Sequence, residues 1–286
     1  MNMVWNDRQG RLSPLKSATL ALAVLPSLLI AYWFFTGALQ PLSVKNAIHL
    51  TGDWAVRFLV VALALTPLQR LLNYPKIALV RRMVGVTAFA YAFTHFSLYV
   101  VNSKFDLGFV ASEIYHRFYL TIGFVALLGL SALAATSFDS AVRTMGVNWK
   151  RLHKIAYGVA VLGLFHYFLQ SKLNVSAATL MAGLFILVMT VRLMVAWRVS
   201  LTPLALFTAA IVAALLTATM EFAWYGLATG VNPGRILMAN FMFRSSVRPA
   251  VTVLLVGMTV AALAWIKPYV SHQSAFRLSQ SPAGKR

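Results

Sequence analysis

The chain has 286 residues, of which 60% are hydrophobic and 11% charged, with 25 Lys and Arg against 6 Asp and Glu for a formal charge of +19. Soluble domains run at roughly 45–50% apolar and about 25% charged residues, so too few charges are present to cover a soluble surface, and the high hydropathy excludes a disordered chain or a basic nucleic-acid binder. The absence of Cys excludes disulfides, iron–sulfur clusters, thiolate metal sites and covalently attached c-type haem, which leaves a polytopic membrane protein whose metal sites must rest on His, Met or oxygen.

A spanning helix needs about 20 mostly apolar residues. Eight stretches qualify in chain order: 17–35, 54–72, 83–101, 118–136, 152–169, 177–197, 203–227 and 249–266. The first reads as a span rather than a cleaved signal peptide, and none shows the alternation of barrel strands. The predicted class is an all-α integral membrane bundle of about eight helices. Sorting the 25 basic residues by membrane face puts 17 on one side and 8 on the other, which predicts both termini in the cytoplasm. Trp5, Trp33, Trp54, Trp149, Trp197 and Trp265 fall near span ends and read as an interfacial belt. No repeat relates the first four spans to the last four, only Glu221 is an acidic residue clearly inside a span, and a transporter therefore lacks parts.

Ionisable residues at membrane depth are costly and need a reason. His95 stands 13 residues past Arg82 in the third span, and His166 stands 13 past His153 in the fifth. At ~1.5 Å per residue both lie about 20 Å from the cytoplasmic end, on helices that run in the same direction. Two imidazoles at one depth are what a bis-His b-type haem requires; the alternative is that each His hydrogen-bonds a neighbouring helix. His153 points to a second site near the cytoplasmic face. The third span offers Arg81 and Arg82 there, with Arg81 on the face of His95, as a weak ligand, a propionate partner or a positive-inside anchor. His153 and His166 come out about 140° apart on an ideal helix, so a second haem on these two helices needs distortion. Arg82 and Arg151, with Arg81 and Lys154, cluster near His153 where propionates or an anionic donor would sit. His49 and His116 read as outer-loop residues; His49 is a candidate quinone, propionate or partner contact. Asp53 and Arg57 stand i, i+4 and pair. Arg117 reads as a propionate partner or a helix-end anchor. Glu221 is a candidate proton or quinone contact, or the partner of Arg192 or Arg248.

Several unlike stretches, in order over residues 15–198, resemble the MsrQ family, the haem-binding membrane subunit of the periplasmic methionine sulfoxide reductase system, within the ferric-reductase-like transmembrane group. They are AIHLTGDWAVRFL from Ala47, ALTPLQRLL from Ala64, RRMVGVTAFAYAFTHFSLY from Arg81, ATSFDSAVRTMGVNWKRLHKIAY from Ala135 and GLFHYFLQSK from Gly163. The resemblance implies heme b, one or two per chain, with His95 and His166 as outer ligands and His153, partnered by Arg81, at an inner site. It also implies an electron-transfer subunit of an oxidoreductase rather than its catalytic subunit, seated in the bacterial inner membrane. Electrons would pass from the quinone pool or a reduced flavin to a periplasmic molybdopterin-containing reductase subunit that repairs oxidised methionine. FMN is a cofactor by resemblance only, since no flavin motif is present. The expected organisation is a haem-binding region over 1–198 followed by a two-helix extension and cytoplasmic tail over 199–286. Lipid is an expected partner and nucleic acid is not. A self-sufficient ferric reductase, a transporter and a haem-free scaffold are the competing readings.

Overall fold

A computed structural model describes residues 5–6, 10–172, 174–240 and 247–279, with side chains as far as 266. Arg8, Arg244, Lys285 and Arg286 from the charge sorting lie outside the described residues, as do the side chains of Lys267, His272 and Arg277. The described chain is helical, without a named strand. The helices are α1 (Pro14–Phe35), α2 (Ser43–Leu72), α3 (Ala78–Asn102), α4 (Leu107–His116), α5 (Phe118–Ala135), α6 (Asp139–Met145), α7 (Val147–Leu152), α8 (Ile155–Ser171), α9 (Ser176–Ala196), α10 (Pro203–Trp224), α11 (Pro233–Ala239) and α12 (Pro249–Ser279). Eight helical stretches are long and apolar enough to cross a membrane, and they fall on the eight predicted spans.

Local chemistry sets several ends. Asp106 caps α4 by accepting the Phe109 N–H at 2.9 Å, and Thr202 caps α10 by accepting the Ala205 N–H at 3.2 Å, with Pro203 in the first turn. Two boundaries differ from expectation. The second span begins at Ser43, eleven residues before 54, so the polar run around His49 is helical and not a loop. At 30 residues α2 is about 45 Å long, well beyond a hydrocarbon core of about 30 Å. The fifth span is broken: α7 ends at Leu152, His153 caps it, and α8 starts at Ile155, so the ideal-helix phase between His153 and His166 does not apply.

The fold divides into two compact units. The first comprises Met1–Thr66 and Pro75–Lys172; the second comprises Pro67–Tyr74 and Leu173–Arg286. In the first unit α3 packs on α1 and α5, and α5 packs on α4 and α8. The buried Tyr91 hydroxyl on α3 donates to Ala23 O on α1 at 2.9 Å, which satisfies two polar groups that lipid cannot. In the second unit α9, α10 and α12 pack against one another. A Cβ on Gly183 would stand 2.6 Å from Val253, so these backbones approach as closely as a missing side chain permits, the usual means of helix association where no hydrophobic force acts between helices. Large apolar side chains such as Leu28, Leu128 and Leu215 are more than half exposed, as lipid-facing residues are.

Candidate functional site

The first unit holds a cavity of about 420 Å³ among α2, α3, α5 and α8, within the roughly 300–1,000 Å³ of small-molecule sites. His95 from α3 and His166 from α8 both line it, and their ring centres lie 6.2 Å apart with planes at 83°. The depth match read from the sequence therefore brings the two imidazoles together.

Each ring is held the same way. His95 Nδ1 lies 2.7 Å from Ile48 O on α2, and His166 Nδ1 lies 2.8 Å from Tyr119 O on α5. A carbonyl only accepts, so each Nδ1 carries the proton and donates it, and each Nε2 keeps its lone pair. The residue one turn beyond each carbonyl is a glycine, Gly52 on α2 and Gly123 on α5. Side chains at i and i+4 share a helix face, so a side chain at either glycine would cover the carbonyl. A Cβ on Gly52 would stand 2.9 Å from His95 Nδ1, and one on Gly123 would stand 2.7 Å from His166 Nδ1. The sequence reading missed both glycines and both carbonyls.

The arrangement fits a haem. Metal–imidazole bonds of about 2.0 Å, with each ring centre set about 1.1 Å behind its nitrogen, call for centres roughly 6.2 Å apart across one metal ion. The observed separation matches, the Nε2 lone pairs are available, and the lining is largely apolar. The Nδ1–carbonyl bonds are the kind of outer-shell contact that fixes tautomer and ring orientation in metal sites.

His153 has different surroundings. Its Nε2 is 3.1 Å from the Thr136 hydroxyl, and its ring stacks on Trp149 with centres 3.9 Å apart. Trp149 in turn donates from Nε1 to Thr136 O at 2.8 Å. Trp149 is thus a structural neighbour of His153. Arg81 and Arg82 are charged neighbours of His153, and Arg82 pairs with Asp139. Arg151 lies in the last turn of α7 and is exposed. Among the described residues no cluster of three or more His, Cys, Asp or Glu side chains could hold a metal.

His49 lines the cavity from within α2. Asp53 lines it too and pairs with Arg57 at 3.7 Å, while Arg57 rests over Trp54 at 4.8 Å. His116 ends α4, with Nδ1 2.8 Å from Ser112 O, and Arg117 pairs with Glu113 at 2.6 Å. In the second unit Glu221 is fully buried and pairs with Arg248, not Arg192, at 2.7 Å.

Comparison with known proteins supplies the family. A family model described as a ferric reductase like transmembrane component matches residues 51–164, which include Gly52, His95, Gly123 and His153. The protein-methionine-sulfoxide reductase heme-binding subunit MsrQ of Polaromonas naphthalenivorans is 36% identical over 183 residues, covering 62% of this chain and 80% of that protein. The MsrQ of Agrobacterium fabrum is 39% identical over 152 residues, 53% of this chain and 70% of its own. That of Rhodospirillum rubrum is 36% identical over 194 residues, 67% of this chain and 91% of its own. No solved structure matches. With identity above 30% across most of each relative, the chain belongs to the MsrQ family of ferric-reductase-like membrane proteins.

Proposed function

We propose that this chain is the haem-carrying electron-transfer subunit of a methionine sulfoxide reductase system, with heme b held between His95 and His166. The observation that carries the reading is the pair of imidazoles 6.2 Å apart, each with Nδ1 bound to a backbone carbonyl and Nε2 left to ligate. The haem supplies reversible one-electron chemistry. The chain's own part is to orient two neutral imidazoles, exclude water with apolar walls and hold the site at a chosen depth in the bilayer.

The names of the relatives, heme-binding subunits of protein-methionine-sulfoxide reductase, support a partner that performs the reduction. On the proposed orientation, with both termini in the cytoplasm of a bacterial inner membrane, the site lies in the outer half of the bilayer. It then faces a periplasmic, molybdopterin-containing catalytic subunit. Electron transfer falls steeply with distance, and the site lies about 20 Å beyond the end of α3 that carries Arg82. A quinol dissolved in the bilayer comes closer to it than a reduced flavin at the cytoplasmic face, and is the donor favoured here. The functional division is a haem-binding region over 1–198 and an extension over 199–286.

Stoichiometry and spectra test the ligand assignment. Purified protein is expected to show a low-spin bis-His spectrum with one haem per chain by pyridine haemochrome. His95→Ala and His166→Ala are each expected to lose it, while His153→Ala keeps it. A haem-free native protein, or full spectra in both ligand variants, overturns the reading. Two haems per chain would require the His153 nitrogen to leave Thr136 and would return that residue to the ligand set. Failure to form a complex with a periplasmic reductase, together with ferric-chelate reduction by the chain alone, would favour the self-sufficient reductase.

A further inference from the structure

The shared geometry of the two histidines extends to the whole cavity. His95 and His166 differ by 71 in number, as do Gly52 and Gly123, and as do the carbonyl donors Ile48 and Tyr119. Of the 22 residues that line the cavity, 20 form ten pairs with this same offset. The α2–α3 hairpin and the α5–α8 hairpin are therefore two copies of one cradle, closed around the same space.

The copies agree where the ligands are held and differ in polarity at the sides. Where α2 places His49 and Asp53, α5 places Leu120 and Phe124. Where α8 places Tyr167 and Gln170, α3 places Phe96 and Tyr99. These differences segregate into two seams. Asp53 of α2 and Tyr167 of α8 line the cavity together with His49 and Gln170, and give its α2–α8 side a polar seam. The equivalent residues of the other copy, Phe96 and Phe124, pack with ring centres 5.8 Å apart and join α3 to α5 in an apolar seam. The Asp53 charge is matched by Arg57, so the polar seam offers hydrogen-bond donors rather than net negative charge.

A cradle with two identical halves would accept a lopsided ring equally well with its carboxylate-bearing edge in one seam or in the other. The geometry points to the α2–α8 seam, through Asp53 and Tyr167, as the element that fixes which way the bound macrocycle faces: its carboxylate-bearing edge lies in the polar seam and its hydrocarbon edge in the Phe96–Phe124 seam. An ionised carboxylate left against the rings of Phe96 and Phe124 would meet hydrocarbon, with the Tyr99 hydroxyl the one side-chain donor of that wall, which is costly, whereas His49, Tyr167 and Gln170 line the opposite side. Asp53 and Tyr167 are positioning residues on this account. The inference rests on the proposed haem between His95 and His166.

The test reads orientation rather than activity. The chain is loaded with a haem isomer whose methyl and vinyl groups are symmetric about the line bisecting its carboxylate edge, so that turning the ring over on the same edge gives nothing new; in the oxidised protein its methyl protons resolve by NMR, one set per edge placement. The native chain is expected to give one set. Giving the polar seam the residues of the apolar one (His49→Leu, Asp53→Phe, Tyr167→Phe and Gln170→Tyr), with Arg57→Leu so that no charge is uncovered, is expected to keep one haem per chain and give two sets of comparable intensity. A second arm leaves the protein unaltered: native chain loaded with the dimethyl ester of the same symmetric isomer, which has no free carboxylates, is also expected to give two sets, and stands alone if the variant does not assemble. Two sets in the native chain with the free-acid isomer, or one set with the diester, overturns the inference while the bis-His spectrum leaves the function standing. A native chain that binds no haem overturns both, so the two failures are told apart.

Discussion

Replacing Gly123 with alanine puts a methyl carbon 2.7 Å from His166 Nδ1 and 2.8 Å from its Cε1, where ordinary contact begins at 3.4 Å. The imidazole must retreat by about 0.7 Å, or α5 must move from α8 by as much. Metal–ligand distances tolerate only about ±0.2 Å, so the ring cannot retreat and still ligate undistorted. It also cannot swing freely, because Nδ1 is tied to Tyr119 O at 2.8 Å and a 0.7 Å extension takes that bond to about 3.5 Å, past useful strength. Disturbing an outer-shell partner of a metal-bound His costs roughly 10–100-fold in affinity, and that is the expected loss for Gly123→Ala. Gly52→Ala starts from a looser 2.9 Å contact with His95, needs about 0.5 Å, and is expected to lose less. Gly158 on the exposed side of α8 has nothing within 4 Å of its would-be Cβ, so Gly158→Ala should retain haem and firm the helix by about 0.5–1 kcal/mol. Haem titration of apoprotein, read at the Soret band, ranks the three. Native affinity in Gly123→Ala, or equal losses in all three, would refute the cradle as the constraint.

Two further predictions concern the second unit and the orientation. Arg248→Met strands the fully buried Glu221 carboxylate and should lower stability in detergent by about 3–5 kcal/mol, whereas Glu221→Leu with Arg248→Met should come close to native; equal losses in the single and double variants would remove the ion pair as the cause. Since the chain has no Cys, single cysteines report sidedness directly: Ala111→Cys on α4 should react with a membrane-impermeant maleimide in intact spheroplasts, and Ser140→Cys should react only after permeabilisation. The reverse pattern would invert the orientation and place the cavity toward the cytoplasm.

The spans and the depth of the two histidines were legible because each depends on counting along one helix. His95 and His166 could be placed from a 13-residue rise without knowing what packs beside them. The glycines and carbonyls that hold the rings depend on how hairpins pair, and nothing local to Gly52 or Gly123 marks them. A signal did exist: a glycine precedes a histidine by 43 residues twice, from Gly52 to His95 and from Gly123 to His166. It was hidden because a search for four-span repeats uses the wrong unit, and because Asp53 against Phe124 and His49 against Leu120 erase similarity around the shared positions. His49 was misplaced on a loop for a related reason. Polar residues cluster there because the cavity is polar on that side, not because the helix has ended. The break at His153 escaped because hydropathy runs through it, while the turn is set by Trp149 and Thr136 packing on the imidazole. Compactness also assigns α9 to the C-terminal unit, whereas motif resemblance extends to residue 198: one follows packing and the other follows lineage.

The backbone carbonyls behind His95 and His166 bear on how the site can change. A carboxylate in that position draws the Nδ1 proton toward itself, makes the imidazole a stronger electron donor and lowers a metal's reduction potential. An amide carbonyl cannot accept the proton outright, and no point substitution replaces it with another group. On the proposed ligation, the electronic character of both imidazoles would thereby be written into the main chain and insulated from mutation. Adjustment of the potential falls to the side chains of the walls, which can vary without disturbing the ligands, so related chains can be tuned to donors and acceptors of different strength on one unaltered axis.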